Sequence, residues 1–493
     1  MLIPLSPPPG LNSDDTTFSA AGRWADGNNV RFWNGRPQVI GGTESLGTLA
    51  GSLPITAILI FIRSGAIKAA YATRGGSPKL YVGSLDAPDD ETPSGLGNTN
   101  DWALVPWGDT LLACPSGGTL YEQSGTSTAT EVTQAPNQIT WMLTTPERQV
   151  LACGCNEESS GTFNGLCIRG SDIEDYTDWT TAADNNAFEH ILESSGSIVA
   201  ARLIGQYVAV WTTSDLFIGQ FIGDPGQAYR FDKVGENCGL AGPQAVVVHN
   251  QTAYWMGIDL CPRTWTPGDV PKQMPCPISK DFINNTSLTA RGRIVASVNP
   301  RFNEIRFDYP DGRTSFPVTS GRNNRYIAVS LTDGSWHRGI GGFDALTNSP
   351  ILSSTTTSYA DVPTIIGART TEILLHETGT LEWGSTNATG LLMAPYIQSA
   401  DQYLDNSQRR MMIRSVLPDF EDQAGDILLT LFVRDRPQSP ATTKGPHTLT
   451  TATTKKDFRA SGKIVSAKFG GSATSLYFRM GKPMFDVVPM GER

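Results

Sequence analysis

The chain has 493 residues, of which only 17% are charged, and it carries 50 Gly and 32 Pro; this balance disfavours long surface helices and favours a turn-rich β protein. Its formal net charge of −10 is unevenly spread: residues 391 to 493 hold 14 Lys and Arg against 10 Asp and Glu, or +4, which leaves 24 against 38, or −14, for residues 1 to 390. An acidic body of that kind excludes a groove that grips nucleic acid by neutralising phosphates, because that mechanism needs clustered Lys and Arg.

Residues 1–52 are expected to form an extended N-terminal arm laid over a larger body. The start, Met1 to Gly10, lacks the basic residues and long apolar core of a signal peptide. Pro7-Pro8-Pro9 stays extended and cannot enter a sheet interior. Beyond it, Arg31-Phe32-Trp33-Asn34-Gly35-Arg36 predicts a short hairpin turning at Asn-Gly, the dipeptide that best tolerates positive φ, and Arg beside Trp permits cation–π contact.

Residues 53–390 predict a β-propeller of about six or seven blades. Strand candidates follow one another with little else: Leu53 to Ile62, Ile67 to Thr73 and Lys79 to Val82, then Trp102 to Trp107, Thr110 to Cys114 and Thr119 to Tyr121. Leu53 to Ile62 is the most apolar run, yet far shorter than the ~18 residues of a membrane span, so no membrane insertion is expected. A third group comprises Ile139 to Leu143, Gln149 to Cys153 and Gly165 to Ile168. Ile198 to Phe221 shows the repeating unit most compactly. It reads as two strands joined by the polar turn Thr212 to Asp215, with Tyr207, Ala209 and Trp211 alternating against Val208 and Val210. The later groups are Ala245 to His249 with Thr252 to Met256, Ile294 to Val298 with Glu304 to Tyr309, Tyr326 to Trp336, and Thr364 to Ala368 with Ile373 to His376. Such units, none stable alone, suit a radial stack of small sheets. A Pro- and Cys-rich stretch from Cys261 to Cys276 interrupts the pattern as an irregular loop; it leaves the blade count open and is a candidate docking insertion.

Residues 391–493 change texture and predict a C-terminal β-sandwich, with strands at Arg410 to Leu417, Asp426 to Arg434, Lys463 to Phe469, Ser475 to Met480 and Met484 to Val488. The fold class is therefore all-β.

Motifs that would carry chemistry are weak. Asp172, Glu174, Asp175 and Asp178 resemble a calcium loop only in part, since Thr177 and Ala183 stand where such a loop needs Gly and Glu; solvated acids capping a short helical turn are the expectation. Ser330-Leu-Thr-Asp-Gly-Ser-Trp336 resembles the Asp-box of sialidase-like propellers, a structural turn without a catalytic residue. No Gly-x-Ser-x-Gly elbow, phosphate loop or dinucleotide fingerprint is present. The seven cysteines, Cys114, Cys153, Cys155, Cys167, Cys238, Cys261 and Cys276, make no disulfide framework, and Cys153-Gly-Cys155 lacks the partners of a zinc site. His190, His249, His337, His376 and His447 lie in or beside strands, where imidazole usually just hydrogen-bonds. The sequence thus assigns no catalytic residue, no metal and no cofactor, and the expectation is that the chain is not an enzyme.

Three segments together resemble the tail hub or tail nozzle proteins of short-tailed bacteriophages, a family also described by packaged-DNA stabilisation. They are Gly22 to Pro37; Asp172 to Trp179 with Val208 to Trp211, Gln220 to Gly223, Asn237 to Pro243 and Tyr254 to Gly257; and Arg409-Arg410 with Leu417 to Phe420, Arg459 to Gly462 and Met480 to Pro483. The resemblance implies a homo-hexamer below the portal and head–tail adaptor protein, carrying tail fibres or tailspikes. It implies transient passage of double-stranded DNA without specific binding, and a place in the virion tail after assembly in the host cytoplasm. The charge asymmetry leads to a related expectation: acidic side chains dominate the lumen while the basic C-terminal domain contacts neighbouring subunits or an acidic partner. The alternative is a receptor-binding or carbohydrate-active propeller on the tail, for which the eleven tryptophans would supply a sugar platform.

Overall fold

A computed structural model describes residues 1–313, 322–347, 365–384, 387–403, 409–471 and 476–491, with the backbone alone for 382–384 and 387–392. Its first organising feature is a set of seven four-stranded antiparallel sheets. Their first strands, Ile55–Arg63, Trp102–Trp107, Trp141–Thr144, Ile198–Ile204, Val246–His249, Val295–Asn299 and Ala345–Leu346, touch one another in sequence order, and the seventh touches the first. A closed ring of this kind is a seven-bladed β-propeller.

Blade 4 shows how the local sequence makes the unit. Ile198–Ile204 turns through Gly205, whose φ of +62° suits glycine, into Tyr207–Thr212, with Ile204 opposite Tyr207. A second turn leads to Leu216–Asp224, and a third to Gln227–Gly235. The stretch read as two strands is therefore three, because the Gly205-Gln206 turn splits the first half. Trp211 is fully buried and meets Trp255 of the next blade at 5.7 Å with ring planes 63° apart, an edge-to-face contact worth about 0.5–1.5 kcal/mol beyond its area.

The stretch Cys261 to Cys276 is corrected from an irregular insertion to the outer half of blade 5. Pro262–Trp265 pairs with Thr252–Met256, and Lys272–Gln273 pairs outside it. Pro262 stands first in its strand, where the missing N–H does no harm, and its carbonyl accepts from Met274 N at 2.8 Å. A short α-helix, Ser279–Asn285, and a 3-10 turn, Leu288–Arg293, then lead into blade 6.

The seventh blade supplies only three strands from its own region, Ala345–Leu346, Ile366–Arg369 and Glu372–His376. Its fourth is Thr43–Thr48. Residues 1–52 are therefore not an extended arm. Leu2–Pro4 pairs with Met484–Pro489, Trp24–Asn28 with Tyr396–Ser399, and Arg36–Val39 with Tyr477–Met480, so the start of the chain is woven into three sheets of the C-terminal domain. The reason is burial: Trp24, Ala25, Val30, Phe32 and Val39 supply apolar area that the C-terminal strands need to complete their core. The hairpin at Asn34-Gly35 is present, with both residues at positive φ and Trp33 opposite Arg36. The expected cation–π partner differs, since Arg31 lies 3.7 Å over Phe302.

C-terminal strands Met411–Leu417, Ile427–Arg434, Ile464–Gly470, Tyr477–Met480 and Met484–Pro489 follow the sequence reading closely. Ile427–Arg434 alternates buried and half-buried side chains through all eight residues, the pattern of a strand with one face on a core. Thr364 and Ser475, which began two of the expected strands, lie outside the described residues.

Candidate functional site

Six of the seven first strands, with Gln244 just before the first strand of blade 5, line a central channel of about 490 Å³, largely with apolar side chains such as Ile58, Ile60, Leu104, Met142, Leu203 and Leu346. A second cavity of about 400 Å³ lies at the end where these strands begin, and Thr56, Gln244 and Val295 line both. This mouth is polar. Asp101, fully buried, accepts from Trp102 N at 2.9 Å, from Gln244 Nε2 at 3.0 Å and from Thr56 Oγ1 at 3.3 Å. Burial pushes its carboxyl up to about 6, against the pull of those donors and of Arg74. Arg74 Nη2 stands 3.5 Å from Asp344 Oδ1, and Asp344 also accepts from Asn323 N and Thr370 N. Arg202 stacks 4.4 Å from the Trp141 ring and donates to the carbonyls of Ala201 and Pro243; burial lowers its guanidinium to about 10.

With Asn323 from blade 6, these contacts tie all seven blades around the mouth. Each carboxylate is already met by donors, so the arrangement is suited to clasping blades rather than to moving protons on a substrate. The channel is also too small for a duplex, whose major groove alone is about 12 Å wide.

A second polar cluster fills the junction between the N-terminal hairpin and blades 6 and 7. Blade 6 carries Glu304, Arg306 and Asp308 at alternate positions of one strand, all buried. Arg306 holds Asp308 through Nε at 3.0 Å and Nη2 at 2.7 Å, and stacks 3.8 Å over Tyr326. Arg31 reaches in from the hairpin, with Nε 3.5 Å from Glu304 and Nη2 bonded to Glu377. Glu377 also accepts from Gly41 N at 2.8 Å. His337 Nδ1 is 4.0 Å from Glu304, and His376 Nε2 is 3.7 Å from Glu377.

The consequences for protonation follow from burial and sign. Burial, Arg31 and Arg306 hold His337 well below the usual imidazole range. Burial and Arg306 bring His376 down to about 3. Burial pushes Glu304 up to about 7, against Arg31. For Glu377 burial acts upward, but Arg31 and His376 outweigh it and its carboxyl stays below the usual range.

The sequence-flagged acids do not converge. Asp172 Oδ1 accepts from Asn186 N at 2.8 Å, Asp175 Oδ1 from Thr177 N at 2.8 Å, and Asp178 Oδ1 from Thr180 N at 3.1 Å, while Glu174 pairs with Arg148 at 2.7 Å. They cap successive turns, and the expected helical turn is absent. Among the described residues no three His, Cys, Asp or Glu side chains are grouped to hold a metal. The seven thiols are unpaired. In the Ser330–Trp336 turn, Gly334 N donates to Ser330 O at 2.9 Å and Ser335 N to Asp333 Oδ1 at 3.0 Å; buried Trp336 donates to Pro275 O at 2.9 Å.

Sequence reasoning passed over both polar clusters. Only one local signal pointed to the second of them: the strand Glu304 to Tyr309 places three charges on a single face of a segment that is otherwise apolar.

No family model matches the chain, and no curated protein matches it. Among solved structures it is similar to the crystal structure of the computationally designed Ika8 protein, at 11% identity and a TM-score of 0.37, over 68% of this chain and 99% of that one.

Proposed function

We propose that the chain is a structural virion protein: the subunit of a tail hub or nozzle ring below the portal and adaptor of a short-tailed phage. Six copies around an axis would make a conduit and seal for genome DNA and a platform for fibres or tailspikes. The observation that carries this reading is the three-segment resemblance, whose first and last segments meet in space. Val30–Trp33 and Arg36–Val39 share one sheet with Tyr477–Met480 and Phe420–Ala424. Residues that are distant in sequence but carry the same resemblance thus belong to one structural unit.

Physical arguments lend support. The propeller's own channel is apolar and narrow, so a bore for DNA would lie between copies rather than through one. A wall that lets a polyanion slide works best when it does not bind phosphate, and residues 1 to 390 carry −14. The sugar-platform alternative is less favoured: Trp24, Trp102, Trp141, Trp179, Trp211, Trp255, Trp265 and Trp336 are buried, and half-buried Trp107 is covered by Tyr176 and Arg148.

Electron cryo-microscopy of particles carrying this chain tests the proposal. It expects propeller density repeated around the tail axis beneath the adaptor. Particles without the chain at that position, or saturable glycan binding by the isolated chain, would overturn it.

A further inference from the structure

We infer that the basic edge of the C-terminal domain docks on the acidic outer rim of blade 3 in a second copy of this chain. The basic edge comprises two terminal strands of adjacent sheets, Thr442–Leu449 and Lys456–Gly462. Residues 436 to 463 hold six Lys and Arg, Arg436, Lys444, Lys455, Lys456, Arg459 and Lys463, against one acid, Asp457. Lys455 pairs with Asp457 at 2.9 Å, whereas Lys444, Lys456 and Arg459 form no ion pair among the described residues.

Thr442–Leu449 exposes almost every side chain, yet it is poorly built to accept another strand. Pro446 removes a donor from the free edge, and Lys444 places a charge on it. Such an edge discourages ladder pairing while leaving its charges available. An apolar group adjoins the other strand of the basic edge: Met490, whose sulfur accepts from Ser461 Oγ at 3.5 Å, is 42% exposed.

The complementary surface is on the same chain. Residues 157 to 193, which include the two outer strands of blade 3, hold nine acids and one base, Arg169. Glu174, Asp184 and Glu193 are exposed. Phe163 and Ile191, 50% and 46% exposed, lie on the adjacent outer strands of the same blade. Exposed large apolar side chains on a blade edge that is rich in one charge sign match the anatomy of a protein interface better than that of a solvated loop. The other acidic loop, Asp86 to Glu91, is a weaker candidate, since Glu91 is buried and the loop carries no exposed large apolar side chain.

A contact between two different patches of identical chains is heterologous, and repetition closes it into a ring or extends it into a filament. The inference rests on the ring reading for its closure, and it adds which surfaces meet. Opposite charges across the contact give it register and make it salt-sensitive.

The test uses the full chain and measures mass by sedimentation at low and high salt. Two charge-reversed proteins, Lys444→Glu/Lys456→Glu/Arg459→Glu and Glu174→Lys/Asp184→Lys/Glu193→Lys, are first checked for folding by circular dichroism. The wild type is expected to associate at low salt and dissociate at high salt. Each variant alone should associate at least roughly tenfold more weakly, and mixing the two should restore association. Asp89→Lys should leave association unchanged. If the wild type associates but neither reversal weakens it, or mixing restores nothing, this pairing is wrong while the ring reading stands. A wild type that remains at 53.1 kDa at every salt and concentration overturns both. Retention of duplex DNA by the basic edge, with association unaffected, would assign that edge to a polyanion and overturn the pairing.

Discussion

Thr43 lies directly opposite His376 in the seventh blade, so a residue near the start of the chain completes a sheet whose other strands come from more than three hundred residues later. The propeller is closed by this seam, and Gly47 in the seam has no room for a side chain: a Cβ there would stand 2.2 Å from the Asp86 carbonyl oxygen. Gly47→Val is expected to destabilise the protein by about 1–3 kcal/mol, as overpacking against backbone does. Urea unfolding checks this, and a variant as stable as the parent would contradict the seam.

Arg31 is the cation that two buried carboxylates share. Arg31→Met leaves Glu304 and Glu377 without it, at an expected cost of about 3–5 kcal/mol. Adding Glu377→Leu should recover part of that loss, because one stranded charge disappears. A double-mutant cycle with a coupling energy near zero would show that the pair is not coupled.

Acid sensitivity follows from the same junction. His337 and His376 have depressed folded pKa values, so their contribution is present above the ordinary 6.5 and is lost as pH falls below it. Glu304 is raised from 4.5 to about 7, so its cost is complete above 7 and relieved towards 4.5. Two groups losing and one gaining leave stability falling as pH drops below 6.5. The melting temperature should fall between pH 6.5 and 4.5, and the double variant His337→Gln/His376→Gln should flatten or reverse the fall. Equal slopes in the two proteins would contradict this account.

At the channel mouth the expected sign is different. Asp101 is raised from 3.8 to about 6, so its stabilising contribution is complete below 3.8 and lost as pH rises through 6. Asp101→Asn keeps an acceptor for Trp102 N and cannot ionise. It should gain up to roughly 2–3 kcal/mol on the wild type at pH 8 and nothing at pH 4. A loss at pH 8, measured by thermal unfolding, would mean that the charge itself holds the blades.

The sequence carried the propeller because its signal is local: alternating apolar runs between polar turns, as at Tyr207 to Trp211, make strands wherever the chain goes. It did not carry the seam or the junction, because their partners are remote. Nothing around Thr43 to Thr48 announces pairing with Glu372 to His376, and nothing around Arg31 announces Glu377. Short strands beginning with proline, such as Pro262–Trp265, were also hidden, since their pairing is fixed by neighbours already in place. Of the polar clusters only the second was legible, in the alternate charges of Glu304, Arg306 and Asp308.

The most direct test of the central claim is the mass and symmetry of the assembly within a particle. Six copies of 53.1 kDa make about 319 kDa, and imaging of intact tails should show that mass as a sixfold ring with its bore between propellers. A single copy seated at the tip of a fibre, or a bore passing through one propeller, would contradict it.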